Sequence, residues 1–265
     1  MPPGWYPETK KETLREIEKY SGALTAKGKI GGVIPHAGWY YSGELAASVI
    51  NALKEREPEL VILYGGHLPA GAGPLIVTGK SWETPLGEMA IETRLADKVK
   101  ENIGLAEDLS SDNTLEIQLP LIKYYFPTAK LLALRLPESL EAAKLSEGIL
   151  EIIKDKYKKY IILASTDLTH YGSNYDFAPA GSSNKALAWA RRNDESFIEL
   201  AIRLKTRELL EHADKNRSAC SSGAVAGLTS AVKMMGGKAG SLIGYKTSYD
   251  VTPSDSFVGY AGIVY

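Results

Sequence analysis

Four histidines and one cysteine carry all the imidazole and thiol chemistry of this 265-residue chain. Three of the histidines follow apolar runs. His36 lies in Pro35–Gly43, "PHAGWYYSG", His67 ends "ELVILYGGH", and His170 lies in "YIILASTDLTHYG" with Asp167 three residues before it. Cys220 comes just before a small-residue stretch, "SSGAVAGLTSAVKMMG", of helical character. The carboxyl ends of strands in open α/β sheets are where ligands bind, because the loops converge there. A thiol at a helix start is biased toward the thiolate by the unpaired N–H groups and the helix dipole. Two imidazoles and a thiolate on one rim would make a three-ligand metal site with positions open to water or substrate. That is the form of a catalytic centre, since structural centres are usually closed by four ligands.

Spacing alone does not specify this cluster. There is no CxxC or HExxH motif, so the fold must gather distant loops. Taken singly, His36 could be satisfied by backbone at a strand end. His67 could mark a loop bend for which the glycines of "YGG" supply the backbone angles. Cys220 could be an inert small hydrophobe, and Asp167 with Thr169 could cap loop N–H groups. His212, in "LLEHADK", reads as an exposed helix residue. Trp39, Tyr40 and Tyr41, with Trp5 and Tyr6, could floor a ligand cleft by stacking or simply fill the core. No GxSxG elbow positions a serine nucleophile, and no carboxylate-rich pattern suggests a two-metal hydrolase.

The elements that must position these residues alternate. Helical spacing marks residues 8–20, and Ser42 is the expected N-cap of the helix in "YSGELAASVINALKERE". The "TLEIQLPLIKYYF" segment reads as helix broken near Pro120, and "ESLEAAKLSEGILEIIKDKYKK" as a long helix. Two more helices are expected over about 184–215, and another follows Cys220. Strands are expected at "KIGGVIPHAG", "ELVILYGGH", "PLIVTG", "KLLALRLPE", "YIILASTDLTHYG", "GSLIGYKTSYD" and "SFVGYAGIVY". This order implies an α/β fold with a central, mostly parallel or mixed sheet and helices on both faces. No linker, repeat or low-complexity tract divides the chain, so residues 1–265 read as a single domain.

Composition narrows the function classes. Apolar residues at 44% and charged residues at 24% suit a globular core. A net charge of −1 with interspersed signs argues against nucleic acid as a partner. A single cysteine excludes an intramolecular disulfide and fits a reducing compartment. With no apolar leader and no long apolar run, a cytoplasmic protein without membrane association is expected.

"PHAGWYYSG", the strand-end "GGH", "LEIQLP", "STDLTHYG" and the closing "SDSFVGYAGIVY" occur in the order found in the Memo family, and the opening "GWYP" is similar to that family's start. The chain resembles that family over nearly its whole length. Memo proteins are similar in fold to class III extradiol dioxygenases, which hold non-haem iron. The resemblance implies that His36, His67 and Cys220 occupy metal-site positions. It places His170 as an acid–base group with Asp167 beside it. Trp39, Tyr40, Asp112 and Asn113 are expected on the substrate side. It implies one metal ion. Iron(II) or copper is expected and zinc is allowed; a His₂Cys set is itself soft enough to prefer copper or zinc over iron(II), which is usually held by two histidines and one carboxylate.

Three departures bear on activity. The family carries an acidic residue and then histidine before "LEIQLP", where this chain has Asp112–Asn113, and asparagine exchanges no proton near neutral pH. "YGGH" replaces the usual "GPxH", and "CSSGAV" replaces "CGxxPI". Ser221 and Ser222 there could cap a helix or hold an anion. Two functions follow as expectations. One is metal-dependent redox or oxygen chemistry on a small substrate. The other is a non-catalytic protein that binds a peptide or partner in a vestigial cleft. Some relatives are thought to bind phosphorylated peptides, and others are associated with radical-SAM and AMMECR1-type proteins.

Overall fold

A computed structural model describes residues 4–20, 28–110, 112–181 and 185–265 of the protein. In chain order, helix α1 (Lys10–Lys19) precedes strand β1 (Gly31–Ile34), helix α2 (Trp39–Ala52) and strand β2 (Leu60–Leu68). Short strands β3 (Leu75–Ile76), β4 (Ser81–Trp82) and β5 (Met89–Ala90) lead to helix α3 (Thr93–Ile103) and strand β6 (Ala106–Glu107). Helices α4 (Asn113–Glu116) and α5 (Leu119–Tyr125), strand β7 (Lys130–Pro137) and helix α6 (Leu140–Ile153) follow. Strands β8 (Tyr160–Ser165) and β9 (His170–Tyr171) precede helices α7 (Lys185–Ile202), α8 (Thr206–Asn216) and α9 (Ser222–Met234). Strand β10 (Ser241–Thr247), helix α10 (Ser248–Val251) and strand β11 (Phe257–Val264) close the chain. Residue 184, the expected start of the α7 helix, lies outside the described residues.

The main sheet runs β10-β11-β1-β8-β2-β7-β3-β6, with β9 paired to β11. Strands β1, β8, β2 and β7 are parallel, while β11 and β3 flank them antiparallel, so the sheet is mixed. Alternate side chains of β2 enter opposite layers. Leu60, Ile62 and Tyr64 pack with α3 and α6 to α9, and Val61 and Leu63 pack with α1, α2 and α5. Burial on both faces explains why these strands read as unbroken apolar runs. The described residues thus form a mixed α/β domain with helices on both faces, as expected.

Strand order places the candidate site. The chain leaves β7 and returns to insert β8 between β1 and β2. The carboxyl ends of three parallel strands therefore lie side by side, and the residues that follow or end them include His36, Asp167 and His67. Two local expectations need correction. Helix α2 begins at Trp39 with Gly38 as its N-cap, and Ser42 lies inside it, its hydroxyl donating to the Ala37 carbonyl at 2.9 Å. The break in the "LEIQLP" segment comes at Ile117–Gln118, and Pro120 instead sits in the first turn of α5, where a missing N–H costs no helical bond. Among the described residues, no helix is long and apolar enough to cross a membrane.

Candidate metal centre

His36 leaves β1 two residues after its last paired position and is buried. Its backbone N–H donates to Asp167 Oδ1 at 2.7 Å. Its ring is held between Ser165 Oγ, 3.2 Å from Nδ1, and Cys220 Sγ, 3.2 Å from Nε2. Gln118 braces this corner, since Nε2 donates to the Pro35 carbonyl at 2.8 Å and to Ser165 Oγ at 3.2 Å. That contact gives "LEIQLP" a physical role, which sequence reasoning did not assign to Gln118.

His67 is positioned by a bulge. The β2–β7 ladder pairs Gly65 with Arg135 and next Leu68 with Pro137, so two β2 residues, Gly66 and His67, oppose Leu136 alone. Such a bulge re-aims a side chain, here at the carboxyl end of an interior strand. His67 itself takes the left-handed backbone, with φ 58°. This differs from the reading in which the preceding glycines bend the chain. Those glycines instead allow close approach, because a Cβ on Gly65 would collide with Thr114 and one on Gly66 with Ser221. His67 Nδ1 lies 3.4 Å from Asp112 Oδ2, and its ring meets that of His36 edge-on at 5.1 Å.

Cys220 precedes Ser221, the N-cap of α9. The loop is stitched to the one after β8, where Cys220 N–H donates to the Asp167 carbonyl at 3.2 Å and Ser221 N–H to Thr166 Oγ1 at 3.1 Å. These two bonds fix the sulfur beside His36. Gly223 lets α9 approach closely, since a Cβ there would collide with the Pro137 carbonyl at the end of β7. Together His36, His67 and Cys220 present three donor atoms within 4.8 Å of one another.

The electrostatics match this packing. Burial alone would raise the Cys220 thiol, but the His36 and His67 imidazoles hold it well below its ordinary range. Burial would lower His36, yet Cys220 and Asp167 leave it raised. Burial also opposes a charge on His67, but Asp112 and Cys220 push it up to about 10. Asp112 resists its own burial and is held down to about 2 by His67, Thr114 and Arg135. Asp167 is raised by burial.

The donor set suits a transition-metal ion. Imidazole and thiolate ligands at about 2.0–2.3 Å from a metal lie roughly 3.5 Å from each other. The 3.2 Å separation of Cys220 Sγ and His36 Nε2 is close to that spacing. A thiolate in the set favours copper or zinc.

A cleft of about 820 Å³ opens over His36 and His67. Asn113, Asp167 and His170 also line it, with Trp5, Tyr41 and Tyr175 on its walls. A second cavity of about 460 Å³ reaches Cys220 from another side, past Glu138 and Asp214, and His170 and Tyr175 line both spaces. Burial, Cys220 and Asp214 push the Glu138 carboxyl up to about 7. Glu138 and Tyr175 each sit in a segment with no motif of its own, whereas Tyr41 belongs to the aromatic run of "PHAGWYYSG" and is its one member that reaches the cleft.

The remaining sequence candidates separate. Trp39 is buried in the core, its Nε1 donating to the Ile117 carbonyl at 3.2 Å, and Tyr40 is 69% exposed. Neither lines the cleft. Successive positions at the start of α2 turn about 100° apart, which sends Trp39 inward and Tyr40 to solvent and leaves Tyr41 at the cleft. Asn113 lines the cleft, but Asp112 does not, since its carboxylate caps α4 and faces His67 and Arg135. Asp167 serves His36 rather than His170. The His170 ring is set by the Leu168 carbonyl, 3.0 Å from Nδ1, and by edge-on contact with Tyr175 at 4.9 Å. His212, 2.8 Å from Ser218 Oγ through Nδ1, is not part of the cluster.

A family model described as "Memo-like protein" matches residues 3–264. A "MEMO1 family protein" of Nitrosopumilus maritimus is 34% identical over 246 residues, covering 89% of this chain and 84% of its own. Another, from Archaeoglobus fulgidus, is 27% identical over 266 residues, covering 98% and 96%. The crystal structure of "uncharacterized protein JW3007" from Escherichia coli K12 is similar in fold, with a TM-score of 0.57 at 12% identity. It covers 89% of this chain and 99% of that one.

Proposed function

The chain belongs to the Memo family, and we propose that it binds one metal ion through His36, His67 and Cys220 and carries out redox or oxygen chemistry on a small polar ligand in the cleft above them. One observation carries this reading: three distant loops bring two imidazoles and a thiolate within 4.8 Å of one another, with both imidazoles lining a cleft. When bound, the ion would supply Lewis-acid and redox chemistry toward a ligand oxygen. The protein's own groups would manage protons and orientation. His170 donates from Nδ1 to the Leu168 carbonyl, which leaves Nε2 as the ring atom able to take or give a proton. Asp167 has Oδ1 engaged by the His36 N–H and is raised by burial, so it holds a proton more readily than an exposed carboxylate. Asn113 would orient the ligand by hydrogen bonding.

The lining also bears on ligand charge. Among the described residues, no lysine or arginine faces the cleft, while Ser248, Thr252, Ser254 and Ser256 add hydroxyls to it. A phosphorylated peptide would find no guanidinium or ammonium partner there, so an uncharged or singly anionic molecule suits it better. Elemental analysis of chelator-free protein, wild type beside Cys220→Ala, tests the metal reading. Near-stoichiometric iron, copper or zinc that is lost in the variant is the expected result. No metal in wild type, even after anaerobic reconstitution, overturns it. A second reading, binding without turnover, is favoured by Asn113 at the cleft where the family carries an acid–base histidine. Ligand binding that survives removal of the metal, with no oxygen uptake by loaded protein, would select that reading.

A further inference from the structure

Arg135 is a buried arginine on β7, and no motif singles it out. Its guanidinium reaches the bulge that carries His67. Nε donates to the Gly66 carbonyl at 2.9 Å, and Nη2 lies 3.4 Å from Asp112 Oδ2. That same carboxylate oxygen lies 3.4 Å from His67 Nδ1. The third nitrogen, Nη1, donates to Ser110 Oγ at 2.7 Å and lies 3.6 Å from Asp108.

The bulge explains why such a residue is needed. Gly66 has no partner in the β2–β7 register, and a buried backbone group left unpaired is costly. Two side chains replace the missing ladder. Thr114 Oγ1 accepts from the Gly66 N–H at 3.1 Å, and Arg135 donates to its carbonyl. A planar guanidinium can serve a carbonyl, a carboxylate and a hydroxyl at once from one fixed fork, which the compact ammonium of lysine cannot.

From this geometry we infer that Arg135 is the positioning residue of His67. It grips the backbone before His67 through Gly66 and the side-chain partner of His67 through Asp112. The histidine is thereby held in its left-handed conformation with its ring turned into the cluster. The consequence for metal affinity rests on the metal reading above, whereas the clamp itself does not.

The test titrates wild type, Arg135→Gln, Arg135→Lys and Asp112→Asn with Co(II) under anaerobic conditions, after circular dichroism and thermal melting have established that each is folded. Arg135→Gln is expected to weaken Co(II) binding by about tenfold or more, as loss of an outer-shell partner does. X-ray absorption is expected to count one imidazole in place of two, with the thiolate retained. Asp112→Asn should lose less, because Gly66 stays held. A folded Arg135→Gln that binds Co(II) as wild type does, through two imidazoles, overturns the inference. If that variant does not fold, Arg135→Lys decides by the same two readouts. If wild type takes up no Co(II), the metal reading fails, and a crystal structure of metal-free Arg135→Lys decides the clamp. His67 released from the bulge supports it, and His67 still in place against Asp112 overturns it.

Discussion

His36 follows a four-residue strand near the middle of the sheet, is buried, and is braced by Ser165 and Asp167 from the neighbouring strand end. His67 is the last residue but one of a nine-residue strand, has a side chain 36% exposed, and takes φ 58° at a bulge braced by Asp112 and Arg135. The two rings stand 5.1 Å apart in one cluster. Regular sheet packing supports the first, and side-chain contacts around an irregularity support the second. The fold and the site therefore depend on one another at His36, but they can be separated at His67. A non-glycine residue in the left-handed region is strained, and such strain gathers at functional sites.

Replacing each histidine is the strongest way to break this comparison. His36→Ala should abolish metal content and cost about 4 kcal/mol, because it empties a buried position and removes a charge partner of Asp167 and Cys220. His67→Gly should also lose the metal but cost clearly less stability than His36→Ala, since the side chain is 36% exposed, Asp112 keeps Arg135 as a partner, and glycine takes the left-handed backbone without a Cβ penalty. Denaturant unfolding of both variants would show the contrast, and equal losses would remove it.

The loop carrying Asp167 and His170 offers a third kind of support, a buried carboxylate. Asp194 accepts from the Thr169 N–H at 2.9 Å and from the Tyr245 hydroxyl at 2.7 Å, and burial pushes its carboxyl up to about 6. The folded state therefore keeps this proton up to about pH 6, while the unfolded chain releases it near the ordinary carboxylate value of about 3.9. Stability from this group is present below about pH 4 and declines as pH rises through about 4 to 6, by on the order of 3 kcal/mol. Asp194→Asn should lack that decline. Urea unfolding of both proteins at pH 4 and pH 7 would check it, and identical pH dependence would exclude this role.

A smaller effect sharpens the contrast at the bulge. Gly66→Ala would drive a methyl group into Ser221 and should cost about 2 kcal/mol, an ordinary overpacking penalty, while displacing His67. Retained wild-type metal affinity in that variant would show that the tight approach of β2 to Ser221 does not hold the site. The smallest effect is expected outside it. Tyr40→Ala should leave metal binding and stability unchanged because that side chain is exposed and off the cleft. A loss of metal content there would mean that α2 presents a different face to the site.

Much of the fold was legible because its signals are local. Unbroken apolar runs marked the parallel strands, and helical spacing marked the long helices that cover them. His36 was legible for the same reason, standing directly after such a run. At His67 the residues could be picked out but their roles could not. Glycine before a loop suggests unusual backbone angles, yet here Gly65 and Gly66 serve close approach and the histidine takes the bend. Trp39, Tyr40 and Tyr41 showed aromatic character in sequence, but only the first turn of α2 decides which of them faces core, solvent or cleft.

The sequence by itself determined the α/β alternation, the family, and the residue types able to form a metal cluster, because composition and periodicity are properties of the chain. Which donors meet was decided by the insertion of β8 between β1 and β2, which joins strand ends distant in the chain. The transfer of Asp167 from His170 to His36, and the clamp of Arg135 and Asp112 on His67, were decided there too. Those contacts depend on distances between segments that no local pattern encodes, and a single extra residue in one strand is enough to redirect a side chain.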